Sequence, residues 1–183
     1  MRAMIVMLAA MLLSGCAAWV QTLASSGDLL IDKEARRNLL VSVQGSERAE
    51  DNARWQLLRF AWQSHLDREA YDSLYSITHV GERRTLARPG VMVTVDIPNF
   101  RYLGQLRRNF LGLMTGNAWV DAKVAYYDLQ SGVLLGDRTF RTSSVAGGTF
   151  FSHMTERQVA ALSARIIDEI RQAEEPPHMA ARP

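Results

Sequence analysis

The chain has 183 residues, of which 48% are hydrophobic and 22% charged, and its formal net charge at pH 7 is +2. This length suffices for one domain with a sizeable core. The near-neutral balance argues against a nucleic-acid-binding protein, which would present a strongly basic face. A single cysteine rules out an intramolecular disulfide, so the domain must fold by core packing alone.

The first 16 residues have the pattern of a lipoprotein signal. Arg2 supplies a positive charge ahead of an unbroken apolar run at 5–13, which is the layout of a secretory signal. The run is shorter than the roughly 20 residues that a membrane-spanning helix needs. Leu13, Ser14 and Gly15 then precede Cys16, and this Leu-Ser-Gly-Cys stretch resembles the bacterial lipobox. We therefore predict a signal peptide at 1–15, signal-peptidase recognition of these three residues, and lipidation of Cys16.

A lipidated Cys16 predicts a location in the cell envelope. Its several acyl chains would anchor the chain stably in a membrane. Ala17 and Ala18 lack the aspartate that commonly retains lipoproteins in the inner membrane, so we expect the periplasmic face of the outer membrane, with the inner membrane as the alternative. Residues 16–28 are interpreted as a lipidated tether ending in turn formers. Trp19 and Leu23 could lie at the lipid interface or pack on the domain.

The remaining chain predicts an α+β domain at residues 29–173. Alternating apolar residues predict strands at 38–45, 74–80 and 91–97 and a β-hairpin at 118–143. Apolar residues at helical spacing predict helices at 52–70 and 155–173, the second opened by a capping box from Thr155 to Gln158. Pro98 should end its strand or mark a sheet edge.

This order of elements predicts a mixed or antiparallel sheet of four to five strands, with both helices on one face. The expected core consists of Leu39, Val41, Val43, Trp55, Leu58, Trp62, Val93, Val95, Val120, Val124, Leu162 and Ile166. Residues 174–183 are expected to form a disordered tail.

Residues 100–116, the predicted contact segment, combine glycines, arginines and large apolar side chains. Arginine and aromatic residues are enriched at protein interfaces, so one interpretation is a loop that contacts a partner. The candidate contact residues are Arg101, Arg107, Arg108, Phe110 and Met114. The alternative is a long connection whose apolar residues tuck under the sheet, since exposing them would invite aggregation.

Motifs for catalysis are missing from the sequence. It has no Gly-x-Ser-x-Gly, no His-Glu-x-x-His and no phosphate-binding glycine loop. His79 lies near Glu82, which is a weak half-site for a metal. Ser144 and His153 could still converge in a hydrolase, but we predict a protein that is not an enzyme and has neither cofactor nor metal.

From Asp96 to Ile170 the sequence resembles the bacterial lipoproteins grouped as domain of unknown function 4410. The resemblance rests on Phe100-Arg101, on the glycines and arginines between Gly104 and Gly116, and on the hairpin that runs from Ala118 through Tyr127 to Leu134. Gly147-Gly148 followed by a helix completes it. The resemblance implies a compact α/β sandwich and a lipoprotein's location, and it transfers no activity.

Two functional hypotheses follow. The first is a lipid-anchored, non-enzymatic binding or accessory domain for an envelope protein complex, with no nucleic-acid partner. The second is a carrier of a small amphiphile or lipid in the periplasm, which would need an apolar cavity between sheet and helices.

Overall fold

The computed structural model describes residues 19–101, 119–143 and 154–176. The strands are β1 (Trp19–Ser26), β2 (Asn38–Gly45), β3 (Ser76–Val80), β4 (Val91–Arg101), β5 (Trp119–Asp128) and β6 (Leu134–Ser143). The helices are α1 (Lys33–Arg36), α2 (Glu47–Glu50), α3 (Trp55–Asp72) and α4 (Met154–Gln172). They form an α+β domain, as the sequence predicts.

The strands make one mixed sheet in the order β1-β6-β5-β4-β2-β3. β2 pairs in parallel with both β3 and β4, so α3 serves as the crossover between β2 and β3. The other pairs, β4 with β5, β5 with β6 and β6 with β1, are antiparallel. The predicted hairpin is confirmed, and Gly132 in its turn has a φ of +72°, a conformation that glycine adopts without strain.

The core lies between one face of the sheet and the helices α3 and α4. Alternate residues of the central strands, such as Val93 and Val124, meet Trp62 of α3 and Ile166 of α4. All the expected core residues are buried except Val43, which is half-buried. A smaller cluster on the other face joins Leu40, Met92 and Leu129. Both long helices therefore occupy the same face, as predicted.

The sheet has six strands rather than four to five, and the added strand lies within the predicted tether. β1 forms the edge of the sheet and pairs with β6 from Trp19 to Ser26, with a register shift between Thr22 and Ala24. Residues 21–26 are exposed. An edge strand held by main-chain pairing needs little apolar alternation, which explains why the side chains did not predict it.

β4 continues past Pro98 to Arg101, contrary to the prediction that this proline ends the strand or marks an edge. The strand is central, because β2 and β5 flank it. Its register with β5 shifts between Asp96 and Asn99, and such an irregularity accommodates a residue that cannot donate to the ladder. Ser46 stabilises the site, since its backbone N donates to the Ile97 carbonyl and its Oγ to the Pro98 carbonyl, at 3.0 and 2.6 Å.

Two predicted helix starts differ from those in the structure. α3 begins at Trp55 rather than at 52, because α2 and a turn at Asn52 precede it. α4 begins at Met154, and Thr155 Oγ1 is buried without a hydrogen-bond partner. The predicted capping box is therefore not formed.

The first residues after α4 are paired with other parts of the chain, although the sequence predicts a disordered tail at 174–183. Glu174 forms a parallel bridge with Leu30, and Glu175 makes an ion pair with Lys33 at 3.0 Å. The Arg36 guanidinium donates to the carbonyls of Ile31, Arg171 and Ala173. Arg36 thus caps the carboxyl end of α4 and ties it to the segment after β1.

Candidate functional site

One end of the sheet collects the residues that lie nearest in sequence to the predicted anchor and contact segment. Trp19 pairs with Ser143, Ser143 with Trp119, and Trp119 with Arg101. These four residues form one register row, here called the terminal row. Adjacent strands are about 4.8 Å apart, so Trp19 and Arg101 lie roughly 14 Å from each other.

Three of the four segments outside the described residues, 1–18, 102–118 and 144–153, adjoin this row. Residues 102–118 connect Arg101 to Trp119, and 144–153 follow Ser143. Cys16 precedes Trp19 by three residues, a reach of at most about 11 Å in extended chain. The terminal row is therefore close to any group attached to Cys16.

The predicted site residues are only partly within the described ranges. Leu13, Ser14, Gly15 and Cys16 lie outside them, as do Arg107, Arg108, Phe110 and Met114 of the predicted contact segment. Ser144 and His153, the residues of the hydrolase alternative, also lie outside. Arg101 is described and is exposed at the end of β4. Beside it, Phe100 is buried and its ring packs against Trp55, with centroids 6.3 Å apart.

The face of the sheet opposite the helices carries charged cross-strand pairs near the terminal row. Arg141 of β6 forms a bidentate salt bridge with Asp121 of β5, with Nε–Oδ1 at 2.8 Å and Nη2–Oδ2 at 3.0 Å. Hydrogen bonding to Asp121 raises the pKa of Arg141. Asp96 is paired in register with Lys123; burial raises the pKa of Asp96, and Lys123 acts in the opposite direction. Near the terminal row, this face is a polar surface, whereas its other end holds the small cluster around Met92.

A charged cluster also lies between α4 and the sheet. Glu169 of α4 bonds Arg138 Nε at 3.1 Å and Arg165 Nε at 3.2 Å, and accepts from the Tyr126 hydroxyl at 3.3 Å. Burial raises the pKa of Tyr126 well above its usual range, and Glu169 acts in the same direction. Arg138 also donates to the Ser26 and Gly27 carbonyls of the β1 end. The cluster joins three strands to α4.

His79 does not pair with Glu82, and Tyr126 and Tyr127 do not share a face of the sheet. His79 Nε2 lies 2.7 Å from Asp67 Oδ1, and not against Glu82. Among residues 19–101, 119–143 and 154–176, no three His, Cys, Asp or Glu side chains are grouped to hold a metal ion. Tyr126 and Tyr127 are adjacent on β5 and point to opposite faces of the sheet: Tyr126 is fully buried, and the Tyr127 ring lies under Arg83 at 4.5 Å.

Two surface features were missed by sequence reasoning. One is β1 and the terminal row that it completes. The other is the exposed side of α3, where Leu57, Phe60 and Tyr71 are 49%, 69% and 80% exposed. The apolar residues at 57, 60 and 71 recur at helical spacing, so the sequence did contain a pattern that indicates an apolar outer side of α3.

In the described part of the chain, no helix is both long and apolar enough to cross a membrane.

No family model and no curated protein match the chain. Solved structures do. A dodecamer of a PelC variant from Paraburkholderia phytofirmans is 12% identical, with a TM-score of 0.50 over 86% of this chain and 99% of that one. A Xanthomonas campestris protein of family DUF330 is 9% identical, with a TM-score of 0.48 over 77% and 89%. A candidate lipoprotein from Caulobacter crescentus is 12% identical, with a TM-score of 0.33 over 72% and 88%.

The PelC likeness shows a shared fold. The neighbours also include an uncharacterised protein and a bacterial domain family of unknown function. The resemblance to domain of unknown function 4410 stays a prediction, because no family model matches.

Proposed function

We propose that the chain is a lipid-anchored envelope protein, at the periplasmic face of the outer membrane, whose domain binds an envelope protein without catalysing a reaction. The observation that carries this proposal is the terminal row. The sheet begins at Trp19, three residues after Cys16, and the segments 102–118 and 144–153 depart from that same row.

The short distance from Cys16 gives the domain a defined orientation. Trp19 is already hydrogen-bonded into the sheet, so Ala17 and Ala18 alone separate it from the acylated residue. Trp19, at one end of the terminal row, then lies within about 11 Å of Cys16, and Arg101, at the other end, within about 25 Å. The turn around Ser131 is at the other end of the ten-residue strand β5, roughly 30 Å away.

In the proposed orientation, Arg101 of the predicted contact segment belongs to the row that is nearest the membrane. The arginines and aromatic residues of this segment suit an interface, and a protein partner held at the same membrane would meet it first. The structural neighbour PelC is described as a dodecamer, so a protein of this fold can bind other protein chains, which supports the proposed binding role.

The carrier alternative draws no support from the described residues. Trp62, Phe140 and Leu58 fill the space between sheet and helices and are fully buried. Two grooves of about 310 and 280 Å³ are instead open surface features beside α1, lined by residues that include Asp32, Asp128 and Glu175.

Lipidation is tested by metabolic labelling with a palmitate analogue. We expect label on the wild-type chain and none on Cys16→Ser, with the wild type alone in the outer-membrane fraction. An unlabelled wild-type chain would overturn the anchor.

Orientation is tested in vesicles whose lipids carry a quencher. A fluorophore on Arg101→Cys should be quenched much more strongly than the same fluorophore on Ser131→Cys. Equal quenching of both labels would contradict the proposed orientation.

Partner binding is tested by in-cell photocrosslinking from Arg101, Arg107, Phe110 and Met114, with Ser131 as the control position. We expect one envelope protein to be captured at adjacent sites of the contact segment. Failure at every one of these sites, with lipidation intact, would refute the binding role while leaving the anchor in place.

A further inference from the structure

The exposed side of α3 carries an apolar stripe that the fold does not use. At 100° per residue, Leu57, Phe60, Ser64 and Tyr71 fall within about 60° of one another. They lie opposite the buried side of the helix, which includes Leu58, Trp62 and Leu66. Leu74, just past the helix, is 88% exposed. Apolar residues on both sides are typical of a helix that is covered on both sides.

Leu74 adds an independent observation, because its backbone is strained. Its φ is +60°, in the left-handed region that costs a non-glycine residue about 1–2 kcal/mol. The backbone N of Leu74 donates to Tyr71 and that of Tyr75 to Ala70, which is the Schellman ending, where glycine is preferred. A leucine here costs stability and exposes apolar surface, so the isolated domain gains nothing from it.

The order of residues along the stripe is symmetric about its middle. Leu57 and Leu74 lie the same number of residues on either side of the midpoint between His65 and Leu66, and so do Phe60 and Tyr71. The polar residues Ser64, Asp67 and Arg68 occupy the centre. The stripe is therefore apolar at both ends and polar in the middle, and its apolar residues are placed symmetrically about that middle.

We propose that this stripe, made of Leu57, Phe60, Ser64, Asp67, Arg68, Tyr71 and Leu74, binds the same stripe of a second copy of the chain about a two-fold axis. Antiparallel α3 helices bring Leu57 onto Leu74 and Phe60 onto Tyr71 of the mate. Such isologous pairing is the commonest form of self-association.

Charges support the second copy as the occupant. In this register, Asp67 of one copy and Arg68 of the other are about four residues, or roughly 6 Å, apart along the axis, within reach of the arginine side chain. The two-fold axis makes this contact twice. Within the described chain, Arg68 has no ion pair, and the ion pair of Asp67 is with His79. An antiparallel mate thus supplies the acidic partner that Arg68 lacks.

A lipid surface fits the stripe poorly. From Leu57 to Leu74 the stripe runs about 25 Å along the helix axis, with charged residues at its centre, whereas interfacial helices bury a continuous apolar face. The proposal does not depend on lipidation at Cys16. Because one helix face per copy is a small interface, we expect a dissociation constant on the order of micromolar.

The test is sedimentation velocity of the full chain in mild detergent over a range of concentrations. We expect a monomer–dimer equilibrium for the wild type and at least tenfold weaker association for Phe60→Asp. Val133→Ser is the matched control, because Val133 is 59% exposed on the hairpin turn, away from α3, and it should associate like the wild type. A wild type that is monomeric throughout, or Phe60→Asp assembling as the wild type does, would overturn the proposal.

Leu74→Gly separates the interface from folding. Glycine relieves the left-handed strain, so its melting temperature should equal or exceed that of the wild type, while association weakens several-fold. Arg68→Asp should also weaken association, and the charge-swapped Asp67→Arg/Arg68→Asp chain should regain it. Unchanged association of Leu74→Gly, or a charge swap that fails to restore a weakened Arg68→Asp, would contradict the antiparallel register.

Discussion

Individual polar residues hold the outer parts of this domain to its core. Glu169 forms ion pairs with Arg138 and Arg165 and accepts a hydrogen bond from Tyr126. Arg138 also donates to the carbonyls at the end of β1. Both Arg138 and Glu169 side chains are 11% exposed. Removing one member of such a buried pair leaves the other charge without compensation, which costs more than the pair contributes.

Tyr126 predicts how stability depends on alkaline pH. Its raised pKa means that the folded protein keeps the proton at a pH where the unfolded chain, with a tyrosine pKa of about 10, has released it. The unfolded state then binds fewer protons, so stability falls as the pH rises above about 10. At pH 7, Tyr126→Phe should have a free energy of unfolding about 1 kcal/mol below that of the wild type, because it lacks the hydrogen bond to Glu169. Between pH 7 and pH 11, its free energy of unfolding should fall by less than that of the wild type.

Urea unfolding of wild type and Tyr126→Phe at pH 7 and at alkaline pH measures both effects. Tyr127→Phe is the control, because Tyr127 lies on the other face. Equal alkaline losses in wild type and Tyr126→Phe would disprove the assignment.

Arg36 predicts the strength of the connection between α4 and the segment after β1. Its guanidinium donates to three backbone carbonyls, including two at the end of α4, and such charged hydrogen bonds contribute about 1.5–3 kcal/mol each. Because these bonds are partly buried or exposed, Arg36→Gln should lower the free energy of unfolding by less than their sum, roughly 2–4 kcal/mol. The neighbouring Arg37, whose side chain is exposed, provides the control Arg37→Gln, for which a comparable loss would argue against capping by Arg36.

At the level of elements, periodic side chains predicted the parts that bury a face. β5 alternates cleanly between buried and more exposed residues, and the core residues predicted on β2 and β5 are buried except the half-buried Val43. β1 was missed because its stabilisation is main-chain pairing, and the course of β4 through Pro98 was missed because a bulge depends on neighbours that sequence does not display. The exposed apolar residues of α3 reduced the contrast between its two faces, but the apolar spacing of its buried face still predicted a helix.

The bulge predicts an element-level role for Ser46. Its Oγ accepts from the Ala49 backbone at the start of α2 and donates to the Pro98 carbonyl in the irregular part of β4. Ser46→Ala should cost about 1–2 kcal/mol, since a helix cap and a hydrogen bond are lost together. The exposed Ser25 has no such bonds, so Ser25→Ala should remain within about 0.5 kcal/mol of the wild type in the same denaturant titration.

At the level of the whole molecule, the fold was predictable and the position of the candidate site was not. The contact segment and the lipobox were separate sequence features until the register of β1, β6, β5 and β4 brought Trp19 and Arg101 onto one row. That register arises from pairing across more than 100 residues, for which one sequence contains no direct signal.

The terminal row predicts the effect of lengthening the tether. A flexible ten-residue Gly/Ser insertion between Ala18 and Trp19 adds a root-mean-square distance of about 17 Å without touching a packed residue. Unfolding stability should stay within about 0.5 kcal/mol of the wild type, whereas lipid quenching of a label at Arg101→Cys should fall severalfold. Undiminished quenching would mean that the domain contacts the bilayer by itself.

The pairing of β1 with β6 also has a consequence for how the protein is made. Among the strands of the described residues, β1 is the earliest to be synthesised, and its partner β6 is the last. Closing a loop of this length is entropically costly, and folding dominated by such distant contacts is slow. In a chain exported amino terminus first, the sheet cannot be completed until β6 has crossed the membrane. Under the proposed lipoprotein processing, the enzymes that act at Cys16 would therefore meet an extended chain rather than a finished edge strand.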